Sequence, residues 1–123
     1  MKRVGLLLVM LAVASSVMLV AHMQVEKTSP ADKATLTSAP KQVQLWFSAA
    51  PTLAVSYLTL TGSAGRIALG TLALGKAGDT MDNSVMADVK GPLAAGTYTV
   101  TWRTSGSDGH MLNGSFTFTL KSQ

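Results

Sequence analysis

The 123-residue sequence contains no cysteine. A disulfide, a thiolate zinc site, an iron–sulfur cluster and a cysteine nucleophile are therefore excluded. The chain also lacks a glycine-rich phosphate loop and any alternation of strands and helices, which argues against a nucleotide-binding α/β enzyme. Charged residues make up only 13% and apolar residues 47%. This mix is too apolar for intrinsic disorder, and the length allows one ordinary domain.

The first 21 residues have the pattern of a secretory signal peptide, with a short positive start and an apolar run from Val4 to Ala21. Cleavage after Ala21 would begin the mature chain at His22. Cleavage after Ala14 fits the small-x-small rule better and would begin it at Ser15. An uncleaved anchor is a third alternative, because about 18 largely apolar residues could just span a bilayer.

The charge of the mature part argues against nucleic-acid binding. The whole chain has 10 basic and 6 acidic residues, a net charge of +4, and two of the basic residues belong to the signal peptide. The mature domain is therefore close to neutral. Its basic residues are scattered and do not form a basic face interleaved with aromatic side chains, which nucleic-acid binding usually requires.

The mature sequence predicts an all-β domain. Apolar and polar residues alternate with a period of two, or β-branched and aromatic residues concentrate, in several short segments. The predicted strands are Val43–Ser48, Ala54–Leu60, Arg66–Leu69, Thr97–Arg103 and Ser115–Leu120. Glycine-rich, proline-rich and polar clusters, among them Gly75–Asp82, are predicted turns. Short strands at this spacing favour a two-sheet sandwich.

Tyr98 begins one of the strongest predicted strands, directly after the turn at Gly96. This placement resembles the tyrosine corner of Greek-key sandwiches, in which the phenol hydroxyl bonds to upstream backbone. The alternative is a tyrosine that is simply buried in a strand.

The candidate chemistry lies at the two histidines of the chain, His22 and His110. Asp108 and His110 are two residues apart, so in an extended segment their side chains leave the same side. Two ligands are too few for tight metal binding, and the motif alone is weak. If His22 is the mature N-terminus, however, its α-amine and Nδ1 close a six-membered chelate. A competing metal can displace the protons of an amine and an imidazole near neutral pH. Nitrogen and oxygen donors of this kind suit Cu(II), although a frayed, functionless chain end is the alternative for His22.

The mature chain resembles the CopC family of periplasmic copper-binding, copper-resistance proteins over essentially its whole length. The matching stretches are the start His22–Asp32 with its Pro-Ala-Asp turn, Pro40–Ser48 (Pro-x-x-Val-x-Leu-x-Phe-Ser), Pro92–Arg103 (Pro-Leu-x-x-Gly-x-Tyr-x-Val-x-Trp-Arg) and Ser107–Phe118 with Asp-Gly-His-x-x-x-Gly-x-Phe-x-Phe. The resemblance implies an immunoglobulin-like Greek-key β-sandwich or barrel of about seven strands. It also implies Cu(II) bound by the amine and ring of His22 together with Asp108 and His110.

Two departures from the family pattern bear on copper. Many members have glutamate where this chain has Ala49, so we expect no acidic group there and weaker or differently hydrated copper. Some members also have a methionine-rich loop for Cu(I), and here Met81 and Met86 are only a loose pair that we expect to fill gaps or lie exposed in a loop. Met23 and Met111 each follow a proposed histidine ligand. Because neighbouring strand residues point to opposite faces, we do not count them as ligands, although reduction to Cu(I) could recruit one.

We therefore predict a signal peptide at residues 1–21 and a CopC-like domain at residues 22–123, cleaved after Ala21. The predicted function is non-enzymatic: a soluble, monomeric periplasmic domain that holds Cu(II) for copper homeostasis or resistance. The resemblance implies delivery to a CopD-like copper transporter of the inner membrane.

Two other classes of function stay open. A copper-dependent oxidative enzyme would use the same histidine chelate, as polysaccharide monooxygenases do. The chain lacks an evident aromatic substrate platform apart from Trp46, however, and Asp108 would crowd the open coordination position. A metal-free structural sandwich is the second alternative, and it predicts that replacing both histidines changes nothing.

Overall fold

The computed structural model describes residues 22–122, which form two β-sheets. The strands are β1 (Val25–Ser29), β2 (Ala34–Leu36), β3 (Gln42–Phe47), β4 (Tyr57–Gly62), β5 (Gly65–Ile67), β6 (Ala73–Ala77), β7 (Thr80–Asp88), β8 (Gly96–Ser105) and β9 (Met111–Leu120). One sheet has the order β1-β3-β7-β6 and the other the order β2-β9-β8-β4-β5. Within the described range, no helix has the length and apolar composition needed to cross a bilayer. The predicted signal peptide lies outside the described residues.

The core lies between the two sheets and is built from the residues that the alternating pattern assigns to it. Val43, Leu45 and Phe47 of β3 are at most 2% exposed. The other buried apolar residues of this cluster are Leu58, Leu60, Val85, Ala87, Tyr98, Val100, Phe116, Phe118 and Leu120. Because successive strand residues point to opposite faces, one set of each long strand packs into the core. On the opposite face of the four-stranded sheet Gln44 and Ser84 are also buried, and they are hydrogen-bonded to each other at 2.9 Å. The predicted all-β, two-sheet architecture is confirmed.

The predicted tyrosine corner is present. Tyr98 is buried, and its hydroxyl donates a hydrogen bond to the carbonyl oxygen of Ala94 at 2.5 Å. Its ring stacks on Phe118 with 5.4 Å between ring centroids. The corner therefore ties the segment before β8 to the start of that strand, while the ring fills the core.

Nine strands form in residues 22–122, where about seven were expected. Two of them, β2 and β5, are only three residues long and lie at sheet edges. The predicted turn at Gly75–Asp82 is wrong for most of its length, since β6 and β7 pair there as a hairpin. Only two residues are needed for the reversal because Gly78 adopts a φ of 65°, a conformation that favours glycine.

The predicted strand at Ala54–Leu60 starts later than expected. Residues Leu53–Val55 form a 3₁₀ turn instead, and β4 begins only at Tyr57. The hydroxyl of Ser56 donates to the carbonyl oxygen of Thr52 at 2.8 Å and closes this turn. Local hydrogen bonds of a serine therefore override the β-propensity of the segment.

Candidate metal centre

A connector, residues 48–56 between β3 and β4, holds the first described residues in place. The amide of Ser48 donates to the carbonyl oxygen of Gln24 at 2.9 Å. In return, the amide of Gln24 donates to the Ser48 hydroxyl oxygen at 3.0 Å. The N-terminal segment, residues 22–24, is thereby fixed at the end of the sandwich where β3 finishes.

The same connector also binds the end of β8 and the donor loop, residues 106–110. The amide of Thr52 donates to the carbonyl oxygen of Ser105 at 2.9 Å. The hydroxyl of Thr52 donates to the carbonyl oxygen of Gly106 at 3.5 Å. The N-terminal segment and the donor loop therefore lie at one end of the domain. Sequence reasoning missed this role of Ser48 and Thr52, since a serine and a threonine between two strands give no distinctive signal.

The donor loop is a tight turn that brings two predicted ligands into contact. The amide of Gly109, at a φ of 79°, donates to the carbonyl oxygen of Gly106 at 3.1 Å. One carboxylate oxygen of Asp108 accepts the backbone amide of His110 at 3.0 Å. The other lies 2.8 Å from Nδ1 of the same histidine. The two-residue spacing thus forms a small hydrogen-bonded ring that orients the imidazole.

This pair changes the proton affinity of both groups. The hydrogen bond between the side chains raises the pKa of His110 above its ordinary 6.5, and it lowers the pKa of Asp108 below 3.8. When Nδ1 carries the proton that is donated to the carboxylate, the lone pair of Nε2 is left free for a metal. The His110 side chain is 78% exposed, so this nitrogen is accessible from solvent.

The structure places His22 at the same end of the domain, as an exposed residue of the N-terminal segment. Its neighbour Met23 reaches the donor loop. The Met23 sulfur lies 3.5 Å, and Asp108 Oδ1 3.4 Å, from the point that a Cβ on Gly106 would occupy. In the part of the chain that is described, however, no three His, Cys, Asp or Glu side chains form a ready-made metal cluster. Asp108 and His110 are brought together, and His22 lies at their end of the sandwich without joining them.

The donor set fits Cu(II). Imidazole nitrogens and a carboxylate oxygen are the ligand types that Cu(II) favours in tetragonal geometry, and Cu(II) has the highest affinity among divalent first-row metals for such sites. The α-nitrogen of His22 becomes an amine donor only when the peptide bond to Ala21 is cut.

Two further expectations concern Trp46 as a possible aromatic platform and Ala49 in place of a family glutamate. Trp46 is half-buried, its Nε1 donates to Asp82 Oδ2 at 3.2 Å, and the ammonium of Lys27 lies 4.0 Å above its ring. This indole is therefore occupied by protein contacts and is not a bare aromatic platform. Ala49 lies exposed in the connector and brings no acidic group to this end.

The other methionines of residues 22–122 are dispersed. Met81 and Met86 lie on β7 and not in a loop as expected, and their odd spacing directs them to opposite faces of that strand. Met81 is 55% exposed, while Met86 is half-buried. Met111 is the first residue of β9 and lines an open groove on the outer side of the five-stranded sheet, together with Val55 and Tyr57.

Comparison with known proteins gives consistent results. The model of the CopC domain family matches residues 25–121. Copper resistance protein C of Escherichia coli is 37% identical over 106 residues, which cover 82% of this chain and 82% of that protein. Copper resistance protein C of Xanthomonas campestris pv. juglandis is 34% identical over 104 residues, covering 82% and 81%.

Solved structures agree with the sequence matches. The crystal structure of PcoC, described as a methionine-rich copper resistance protein from Escherichia coli, superposes with a TM-score of 0.71 at 32% identity, covering 82% of this chain and 100% of that one. CopC from Methylosinus trichosporium OB3b superposes with a TM-score of 0.69 at 28% identity, covering 83% and 96%.

Proposed function

Because this chain belongs to the CopC family, we propose that it is a periplasmic copper-resistance protein that binds one Cu(II) through His22, Asp108 and His110. Copper is the cargo of the protein and not the cofactor of a reaction. The signal peptide ends at Ala21 in this proposal, so that the mature chain begins with the histidine chelate. The protein buffers copper and passes it to a CopD-like transporter in the inner membrane.

One observation carries the proposal: the connector is hydrogen-bonded to both segments that contain histidine. Its residue Ser48 bonds Gln24, two residues after His22, and its residue Thr52 bonds the backbone at the start of the donor loop. Asp108 and His110 are in contact, and the backbone two residues after His22 is hydrogen-bonded at the same end of the sandwich. In this proposal only His22 has to be ordered when the metal binds, which lowers the ordering cost of binding.

Each donor has a definite role in this proposal. The amine and Nδ1 of His22 form the chelate, and Nε2 of His110 supplies the third nitrogen. Asp108 orients the His110 ring through Nδ1 and offers a carboxylate oxygen as a weaker ligand. Outer partners of this kind fix ring orientation, and their loss typically weakens metal binding about 10–100-fold.

The proposed site is open to solvent. The side chains of Asp108 and His110 are 56% and 78% exposed, so a partner's ligands can reach the metal and replace these donors one at a time. The delivery step and the CopD-like partner rest on the family resemblance alone.

The test begins with mass spectrometry of the exported protein, which should give His22 as the first residue. Titration with Cu(II), followed by electron paramagnetic resonance, should then show tetragonal nitrogen ligation at one equivalent. The signal should change in His110→Ala and in a variant with one glycine added before His22. Lys121→Ala is a matched control at an exposed site near the end of β9.

Three results would contradict the proposal. A mature chain that starts at Ser15 or Met1 removes the amine donor. A processed protein that does not bind Cu(II), and in which replacement of both histidines changes nothing, would favour a metal-free structural domain. Oxidation of a polysaccharide by the copper form with peroxide would favour the oxidative enzyme.

A further inference from the structure

The side chain of Met23 reaches from the core to the donor loop. It is half-buried and packs against the apolar core cluster. Its sulfur and Asp108 Oδ1 border the same small space above Gly106, at 3.5 and 3.4 Å from the position of an added Cβ. A thioether therefore lies within about 7 Å of the carboxylate that we assign to copper.

Met23 does not follow His22 along a strand, so the two side chains are not directed to opposite faces by strand geometry. Strand β1 begins only at Val25, and the N-terminal segment is irregular. Strand alternation therefore places no restriction on Met23.

The oxidation state of copper decides which donor it prefers. Imidazole and carboxylate suit Cu(II), whereas the soft thioether selects Cu(I). Methionine has three rotatable bonds and adapts to irregular surroundings, so its sulfur can move over a short distance at small cost.

We propose that Met23 is a Cu(I) ligand of this site: when bound copper is reduced, the Met23 sulfur replaces the Asp108 oxygen. The inference rests on the proposed copper site and extends it to a second oxidation state. One electron from an external reductant converts Cu(II) to Cu(I), the copper–oxygen contact breaks and a copper–sulfur bond forms. The imidazoles stay bound throughout.

Met111 provides the matched control. It also follows a proposed histidine ligand, but it lines the groove on the outer side of the five-stranded sheet and is 43% exposed. Replacement of either methionine by leucine keeps the size and apolar character of the side chain, so both variants should fold. Only Met23→Leu should change how Cu(I) binds.

Gly106→Ala offers a second, independent variant. The added methyl would stand between the sulfur and the carboxylate, in ordinary contact with both, and Gly106 is not among the glycines with positive φ. The substitution should therefore fold normally while hindering movement of the sulfur toward the site.

The experiment uses the processed protein loaded with Cu(II) and then reduced with ascorbate. X-ray absorption of the reduced form should show a copper–sulfur shell in the wild type and in Met111→Leu, and no such shell in Met23→Leu. Competition with a chromogenic Cu(I) chelator should show affinity about tenfold or more lower in Met23→Leu, with a smaller loss in Gly106→Ala. Cu(II) affinity and the paramagnetic resonance spectrum should be unchanged in Met23→Leu.

A copper–sulfur shell that persists in Met23→Leu, or is absent from the wild type, would overturn this inference. If Cu(II) binds with the predicted nitrogen ligation but reduced copper shows no sulfur, the proposed function survives and this inference fails. If Cu(II) does not show the predicted nitrogen ligation, the proposed function fails and this inference, which rests on that site, fails with it.

Discussion

Replacing Tyr98 by phenylalanine should destabilise the domain by a modest and calculable amount. The hydroxyl donates to the carbonyl oxygen of Ala94 at 2.5 Å, while the ring is buried against Phe118. The substitution deletes the hydroxyl and leaves the ring, so the apolar burial of the side chain is retained. The change therefore isolates the hydrogen bond of the tyrosine corner from the packing of the core.

The expected loss follows from the surroundings of the acceptor. A typical intramolecular hydrogen bond contributes about 0.5–1.5 kcal/mol to stability. Ala94 is exposed, so water can bond to its carbonyl oxygen in the variant, and no buried group is left without a partner. We expect the free energy of unfolding to fall by about 1 kcal/mol, which lowers Tm by about 4–8 °C in a domain of this size.

The assay is urea denaturation of the processed protein, followed by circular dichroism. Tyr57→Phe is the matched control, because it removes the same hydroxyl from a residue that is 47% exposed. It should leave the unfolding midpoint unchanged. Equal losses in the two variants, or no loss in Tyr98→Phe, would show that the corner bond adds nothing to stability.

Two further predictions concern the end of the domain that holds the candidate site. In Gly114→Ala the new Cβ would lie 2.7 Å from Cζ2 of Trp102, so the indole must shift. We expect the free energy of unfolding to fall by about 1–3 kcal/mol and the tryptophan emission to change. The control Ser115→Ala, at an exposed neighbouring position, should change neither. In Asp108→Asn the hydrogen bond that raises the pKa of His110 loses its charged acceptor. The pKa of this histidine in the metal-free protein, measured by NMR titration, should therefore fall toward 6.5, and an unchanged or higher value would refute the assigned pairing.

The core of the fold was predictable because burial repeats with the strand period. The alternating residues of β3, β8 and β9 are apolar on the face that packs between the sheets, and the pattern alone identifies them. The hairpin of β6 and β7 was not predictable in this way. Its residues include Gly75, Gly78, Asp79 and Asp82, which favour turns, yet β7 forms because it pairs with β3 on one side and β6 on the other.

In the candidate site, too, the local contact was predictable from the sequence and the tertiary contacts were not. The contact between Asp108 and His110 follows from a two-residue spacing and a glycine turn, both of which are local. The position of the N-terminal segment depends on hydrogen bonds from Ser48 and Thr52 of the connector to backbone far along the chain. These bonds are tertiary, and no periodic pattern encodes them.

The predicted donors lie apart from the core. His22, Asp108 and His110 are exposed, and none belongs to the apolar core cluster. The fold positions the site through four hydrogen bonds of the connector: two join backbone groups, and two use the hydroxyls of Ser48 and Thr52. Met23 is the exception, because the same side chain packs on the core and borders the donor loop. It therefore links the apolar core cluster to the donor loop.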